Sequence, residues 1–211
     1  MKRTLLLMLP VIALATGNTE QTERKTKEEM LGSLWQASLS AEKNGESAEA
    51  MAKTLAYSKN GGDGYLATMR AGWLAYGQKK YDEANRHYSS AMRQQGIALS
   101  PRLGLLTIAQ EQGDVAAAAR AGDLVLQLEP TNYRALLAVA WGAFQAKDYQ
   151  KALGRYRCVM ALYPEDTDAL SGAAWAEFYK GQKAEARQLF RRLLSINPDY
   201  QYAKQGLEAT K

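Results

Sequence analysis

"AWGAFQAKDYQKALGRY", residues 140–156, returns 34 residues later as "AWAEFYKGQKAEARQLF", residues 174–190. The second copy keeps Trp175 for Trp141, Phe178 for Phe144, Ala186 for Ala152 and Phe190 for Tyr156, while almost everything between them drifts. Steps of 34 from Ala152 reach Ala186 in one direction and Ala118, Ala84 and Ala50 in the other. Five alanines at one spacing divide the chain into repeats 31–64, 65–98, 99–132, 133–166 and 167–200. A constant period of this length marks an array of supersecondary units, none of which can bury its apolar face alone.

The middle of each repeat carries Gly45, Lys79, Gly113, Lys147 or Gly181, a place for the left-handed residue that ends a helix. Pro130, Pro164 and Pro198 close the last three repeats, where they stop a second helix. In the second repeat Gly96 holds that place, and Ser100 and Pro101 are expected as cap and first residue of the next helix. Between turn and proline, apolar residues recur at three and four, as in Leu136, Val139, Ala140 and Ala143, or Ala152, Tyr156 and Val159. The spacing predicts two antiparallel helices of about 13 residues per repeat. The fold class is therefore all-α.

These features resemble the tetratricopeptide repeat, a 34-residue helix-turn-helix. The fourth repeat matches best, with Leu136, Val139, Ala140, Tyr149, Ala152, Tyr156 and Pro164 at the family's large, large, small, aromatic, small, aromatic and proline places. The fifth matches with Leu170, Ala174, Ala186, Phe190 and Pro198, and the second with Gly72, Tyr81, Ala84, Tyr88 and Ala91. The first is irregular, with Thr54 for the aromatic and "SKNGGDG" for the proline turn; the third has Gly122 where a ring is expected. The resemblance spans 31–200 and implies a right-handed α-solenoid of five repeats with a concave inner surface. Residues 201–211 read as a C-terminal capping helix, and the charged segment 18–30 is expected to become helical only as it approaches Leu31.

On the first helix of repeat four, Trp141 and Phe144 lie about 100° round from the core stripe, together with Leu137. In the resembling family that second stripe faces the concave groove. Along the array it reads Trp35, Leu39 and Glu42; Met69, Trp73 and Tyr76; Leu103, Thr107 and Gln110; Leu137, Trp141 and Phe144; and Ser171, Trp175 and Phe178 with Tyr179 adjoining. Trp141 and Trp175 are expected side by side, with Trp73 about 20 Å from Trp141. Rings of this size in one groove would form a binding patch, which Arg70, Arg134 and Gln145 would help to orient on a ligand. The family's basic clamp for a terminal carboxylate finds only Arg70 among Trp35, Leu39, Arg70, Ser100 and Gly104.

"MKRTLLLMLPVIALATGN" sets Lys2 and Arg3 before an apolar run and then small residues, the layout of a secretory signal peptide over 1–17 with cleavage after Ala15 or Gly17. The run is too short for a membrane span. Without Lys2 and Arg3 the chain has 25 basic against 22 acidic residues, a charge of +3 too mild to point to nucleic acid. Cys158 is expected as a small buried residue and His87 as solvent-facing, so neither suggests metal or nucleophilic chemistry, and no cofactor is implied. Arg86, Arg93, Arg120, Arg155, Arg157, Arg187, Arg191 and Arg192 fall on second helices, where they read as a solvated outer face with intrahelical pairs or as a weak contact for an anionic surface. The functional expectation is an exported, non-enzymatic scaffold or assembly factor of the bacterial envelope, periplasmic or extracellular, holding an apolar peptide or helix of a partner protein. The alternative is an envelope glycan binder using the same rings.

Overall fold

In the computed structural model, Gly45, Lys79, Gly113, Lys147 and Gly181 all have positive φ, from 58° to 85°. Each follows a helix and folds back onto it: Asp148 N–H donates to Ala143 C=O at 2.9 Å, and Gln182 N–H to Glu177 C=O at 2.9 Å. This left-handed closure reverses the chain. Glycine adopts it without strain, whereas a side chain there costs on the order of 1–2 kcal/mol. Part of that cost is offset by the larger unfolded-state freedom of glycine. Lys147→Gly is therefore expected to raise stability by roughly 0.5–1 kcal/mol and Gly181→Ala to lower it by about 1 kcal/mol, read as opposite shifts of the guanidinium midpoint.

The structure describes the backbone of residues 11–211 and the side chains of residues 20–211. Among them are helices α1 (Val11–Lys43), α2 (Ser47–Lys59), α3 (Gly64–Gly77), α4 (Tyr81–Gln94), α5 (Leu99–Glu111), α6 (Val115–Leu126), α7 (Tyr133–Gln145), α8 (Tyr149–Leu162), α9 (Thr167–Tyr179), α10 (Lys183–Ile196) and α11 (Gln201–Ala209), and no strand. They form two compact parts, one ending at Gln78 and one over Lys79–Lys211. In each, helices pack on their neighbours in sequence, and in the second α7 also touches α9 and α9 touches α11. Asp63, Asp114, Asn132, Asp148 and Asp166 cap α3, α6, α7, α8 and α9 by accepting a backbone N–H. Each such cap stabilises by about 1 kcal/mol.

The recurring alanines are core positions in every repeat: Ala50, Ala84, Ala152 and Ala186 are fully buried and Ala118 nearly so. A second rule governs how one repeat meets the next. Tyr88, Tyr156 and Phe190 are each followed sixteen residues later by Gly104, Gly172 and Gly206. A Cβ placed on these glycines would lie 2.6, 2.2 and 2.2 Å from the rings of Tyr88, Tyr156 and Phe190. The ring occupies the volume that the next helix vacates. Where repeat three lacks a ring, Gly122 precedes Ala138, and α6 meets α7 so closely that a Cβ on Gly122 would stand 2.9 Å from Val139 Cγ2 and one on Gly142 2.4 Å from Ala119 Cβ.

Repeat one follows the same register with different chemistry. Thr54 replaces the ring and Arg70 stands where the others have glycine or alanine. Arg70 Nε donates to Ser38 Oγ at 2.6 Å, and Ser38 Oγ lies 2.8 Å from Thr54 Oγ1. Nη2 is 3.0 Å from Glu42 Oε2, a charge contact without an aligned hydrogen bond. The guanidinium also lies 5.5 Å from the Trp35 ring centroid. A threonine-serine-arginine chain thus fills the space that an aromatic fills elsewhere.

Several expectations are corrected. Residues 18–30 are helical throughout, as the middle of α1; no Gly or Pro interrupts them, and Glu, Gln, Arg and Lys are good helix formers. The leader expected at 1–17 lies outside the residues whose side chains are described. Helix α5 begins at Leu99, so Ser100 and Pro101 sit inside its first turn, where the missing proline N–H has no intrahelical partner to lose. Cys158 is exposed, and His87 is half-buried with Nε2 3.7 Å from Glu83 Oε1.

The second helices also do more than meet solvent. Arg157 Nη2 donates to Glu177 Oε1 of α9 at 2.9 Å, Arg192 to Pro164 C=O at 2.6 Å, and Arg187 to Thr210 C=O. These tie successive repeats, where intrahelical pairs were expected. Tyr133 at the start of α7 donates to Asp166 Oδ2, the cap of α9, at 2.7 Å, and this bond to a carboxylate pushes its phenol up to about 12. Burial, with the charge of Asp168, also raises Tyr156. A raised folded-state value contributes stability fully below the unfolded phenol value near 10 and loses it as pH climbs through the folded value. Unfolding above pH 10 should therefore accompany ionisation of these two phenols, read as the share of the phenolate absorbance, out of 12 tyrosines, that disappears in Tyr133→Phe and Tyr156→Phe and coincides with loss of helicity. Titration of that share before any loss of helix would count against both ties.

Candidate functional site: an aromatic face on α7, α9 and the start of α11

Helix α7 is capped by Asn132, whose side chain accepts the Ala135 N–H. Leu136, Val139, Ala140 and Ala143 are buried. Leu137 and Phe144 are then half-buried, and Trp141 keeps 46% of its surface exposed. Its ring lies flat on Phe144, with centroids 5.6 Å apart and planes 8° from parallel. Phe144 meets Tyr149 and Tyr179 edge-on at 5.5 and 5.8 Å, and Tyr149 stacks on Tyr179 at 5.2 Å. Tyr179 in turn contacts Trp175 and Phe178. The result is one contiguous aromatic surface across two repeats.

Position in the repeat does not fix exposure. Trp175 matches Trp141 by period, yet it sits edge-on against the fully buried Phe190 at 5.2 Å and is largely covered. The two tryptophans are joined through Phe144 and Tyr179. Trp141 is the accessible anchor, with Tyr179 beside it at 52% exposure. Two hollows flank Trp141. One, about 250 Å³, lies toward α5 and α6 by Gln110, Val115 and Ala118. The other, about 450 Å³, is lined by Leu137 and Trp141 of α7, by Asp168 and Gly172 of α9 with Tyr156 behind them, and by Tyr200 and Tyr202.

The remaining expected residues fare differently. Arg134 and Gln145 are exposed on α7, and Arg134 Nη2 donates to Gln110 Oε1 at 2.6 Å and Thr107 Oγ1 at 3.1 Å, toward α5. Arg70 is corrected: it is nine-tenths buried, and its guanidinium is committed to Ser38, Glu42 and Trp35, so it orients helices and not a ligand. Trp73 and Tyr76 belong to the N-terminal part, where Trp73 is 54% exposed, contacts Tyr76 at 6.0 Å and donates Nε1–H to Glu42 Oε1 at 2.6 Å.

Sequence reasoning missed Tyr200, Tyr202 and Asp168. The signal was available, because Tyr202 stands one period after Asp168 and two after Arg134. Carrying the 34-residue period on into α11 leads to it. Among the described residues no group of His, Cys, Asp and Glu could hold a metal ion, and no helix is long and apolar enough to cross a membrane.

Residues 143–208 match the tetratricopeptide repeat family. The chain is 28% identical over 123 residues to "Protein CTR9 homolog" of Arabidopsis thaliana, which covers 58% of this chain and 11% of that protein. It thus spans about a tenth of that relative's length. Among solved structures, a tetratricopeptide repeat protein from Parabacteroides merdae aligns with TM-score 0.67 at 19% identity, over 86% of this chain and 72% of the other. YrrB, described as a tetratricopeptide repeat protein with an unusual peptide-binding site, aligns with TM-score 0.69 at 17% identity over 90% and 97%. MamA aligns with TM-score 0.66 at 14% identity over 81% and 93%. At these identities the likeness concerns the fold.

Proposed function

We propose that this chain, a tetratricopeptide-repeat protein, is an exported scaffold or assembly factor of the cell envelope that holds an apolar peptide or helix of a partner protein against the rings of α7 and α9. Tetratricopeptide-repeat proteins are generally non-enzymatic and bind protein or peptide partners, and the match over 143–208 takes in Phe144, Tyr149, Trp175, Phe178 and Tyr179 and begins just after Trp141. The observation that supports the site is the half-exposed Trp141, lying flat on Phe144 in a continuous ring surface that reaches Tyr179. Exposed aromatic surface of this kind is expensive to leave in water and marks interaction sites. Export is supported by the leader-like layout of residues 1–17.

The test is capture from a cell-envelope extract on the immobilised chain, in parallel with Trp141→Ala. Specific protein partners should be lost with the variant while its helicity is unchanged. Retention of every partner would remove the aromatic face from the account. Binding of purified, protein-free wall glycan that is lost with Trp141→Ala would replace the peptide by a sugar.

A further inference from the structure

We propose that the 450 Å³ cavity beside Trp141 receives a cationic side chain, lysine or arginine, presented by the partner; the inference rests on the partner-binding reading above. Its lining has one charged group, the exposed carboxylate of Asp168, which makes no ion pair among the described residues. Asp168 lies in the first turn of α9. Two basic groups near it, one on α7 and one on α11, are engaged elsewhere. Arg134 reaches toward Gln110 and Thr107, and Lys204 pairs with Asp199 at 3.2 Å.

Most of the rest of the wall is aromatic. Trp141 and Tyr202 are 46% and 63% exposed, and the Tyr200 and Tyr202 rings stand 6.1 Å apart at 59°. Ring faces carry negative electrostatic potential and attract ammonium or guanidinium groups, most strongly when a carboxylate adds its charge. Gly172 supplies the space. The Tyr156 ring fills its Cβ direction, so no side chain projects from this part of α9 across the cavity mouth. Leu137 and Trp141 give apolar surface for the methylene stem of such a side chain, and Asp168 with the tyrosines gives a negative end. The volume is within the range of specific ligand sites. An anionic ligand would be repelled by Asp168, and a neutral one would leave that carboxylate without a charge partner.

A phage-displayed library of random dodecapeptides, selected on the full chain, tests this directly. The expected result is a selected motif with a fixed Lys or Arg among apolar residues. In a synthetic peptide of that motif, exchanging the cation for norleucine should weaken binding on the order of tenfold. Asp168→Asn should cost a similar factor toward the original peptide and little toward the norleucine one. Tyr202→Ala serves as a second, independent variant, and circular dichroism verifies that both fold. Selected peptides without a common cation, lost on Trp141→Ala yet unaffected by Asp168→Asn, would overturn this inference and leave the aromatic face intact. Failure to select any peptide, or binding indifferent to Trp141→Ala, would overturn both.

Discussion

Phe190→Ala should destabilise the C-terminal part by about 3–5 kcal/mol, the largest effect expected of any single truncation among the described residues. Phe190 is fully buried, carries Trp175 edge-on at 5.2 Å, and fills the space left by Gly206 of α11. Its removal opens a cavity with rigid backbone on both sides, which cannot collapse to fill it. A domain has only about 5–15 kcal/mol to lose, so a shift of this size should be plain in a guanidinium titration. The converse change is informative too. Gly206→Ala puts a methyl 2.2 Å from the Phe190 ring and should cost about 1–3 kcal/mol by overpacking. The two sites share one volume, so Phe190→Leu with Gly206→Ala should cost less than the two singles added together. Strict additivity would show that ring and glycine are not a coupled pair.

Trp141→Ala should cost partner affinity about 30-fold or more while changing stability by less than about 1 kcal/mol. The separation follows from geometry. The ring is half-exposed in the free protein and rests on Phe144, so its loss uncovers another aromatic face and no cavity forms in the core. On binding, a Trp that becomes covered contributes a large area at small entropic cost, which is why such residues dominate interfaces. Trp175→Ala should behave in the opposite way, with a clear loss of stability, because its ring packs on Phe190. Isothermal titration with a selected peptide and thermal unfolding of both variants give the two numbers side by side. Equal profiles for the two substitutions would mean that exposure does not distinguish them.

The contrast between these tryptophans shows what kind of information each level holds. Both occupy one place in the 34-residue period, and sequence alone assigns them one role. Their difference depends on which ring of a different helix lies beneath each of them, Phe144 under Trp141 and Phe190 beside Trp175. The same holds for Arg70. Its place on the inner stripe is legible, but its withdrawal into a chain with Ser38 and Thr54 depends on a partner 32 residues away.

By itself the sequence determined the period, the five left-handed turns, the buried alanines and the helical pairs. These follow from backbone sterics and from 3.6-residue periodicity, which act over a few neighbouring residues and leave a direct trace in residue order. Only the tertiary structure decided that rings of one repeat enter glycines of the next, that α11 contributes Tyr202 to a cavity with Trp141, and that Asp168 stands in that cavity without an ion pair. Those are relations between helices, set by how side chains share volume and charge after the chain has stacked.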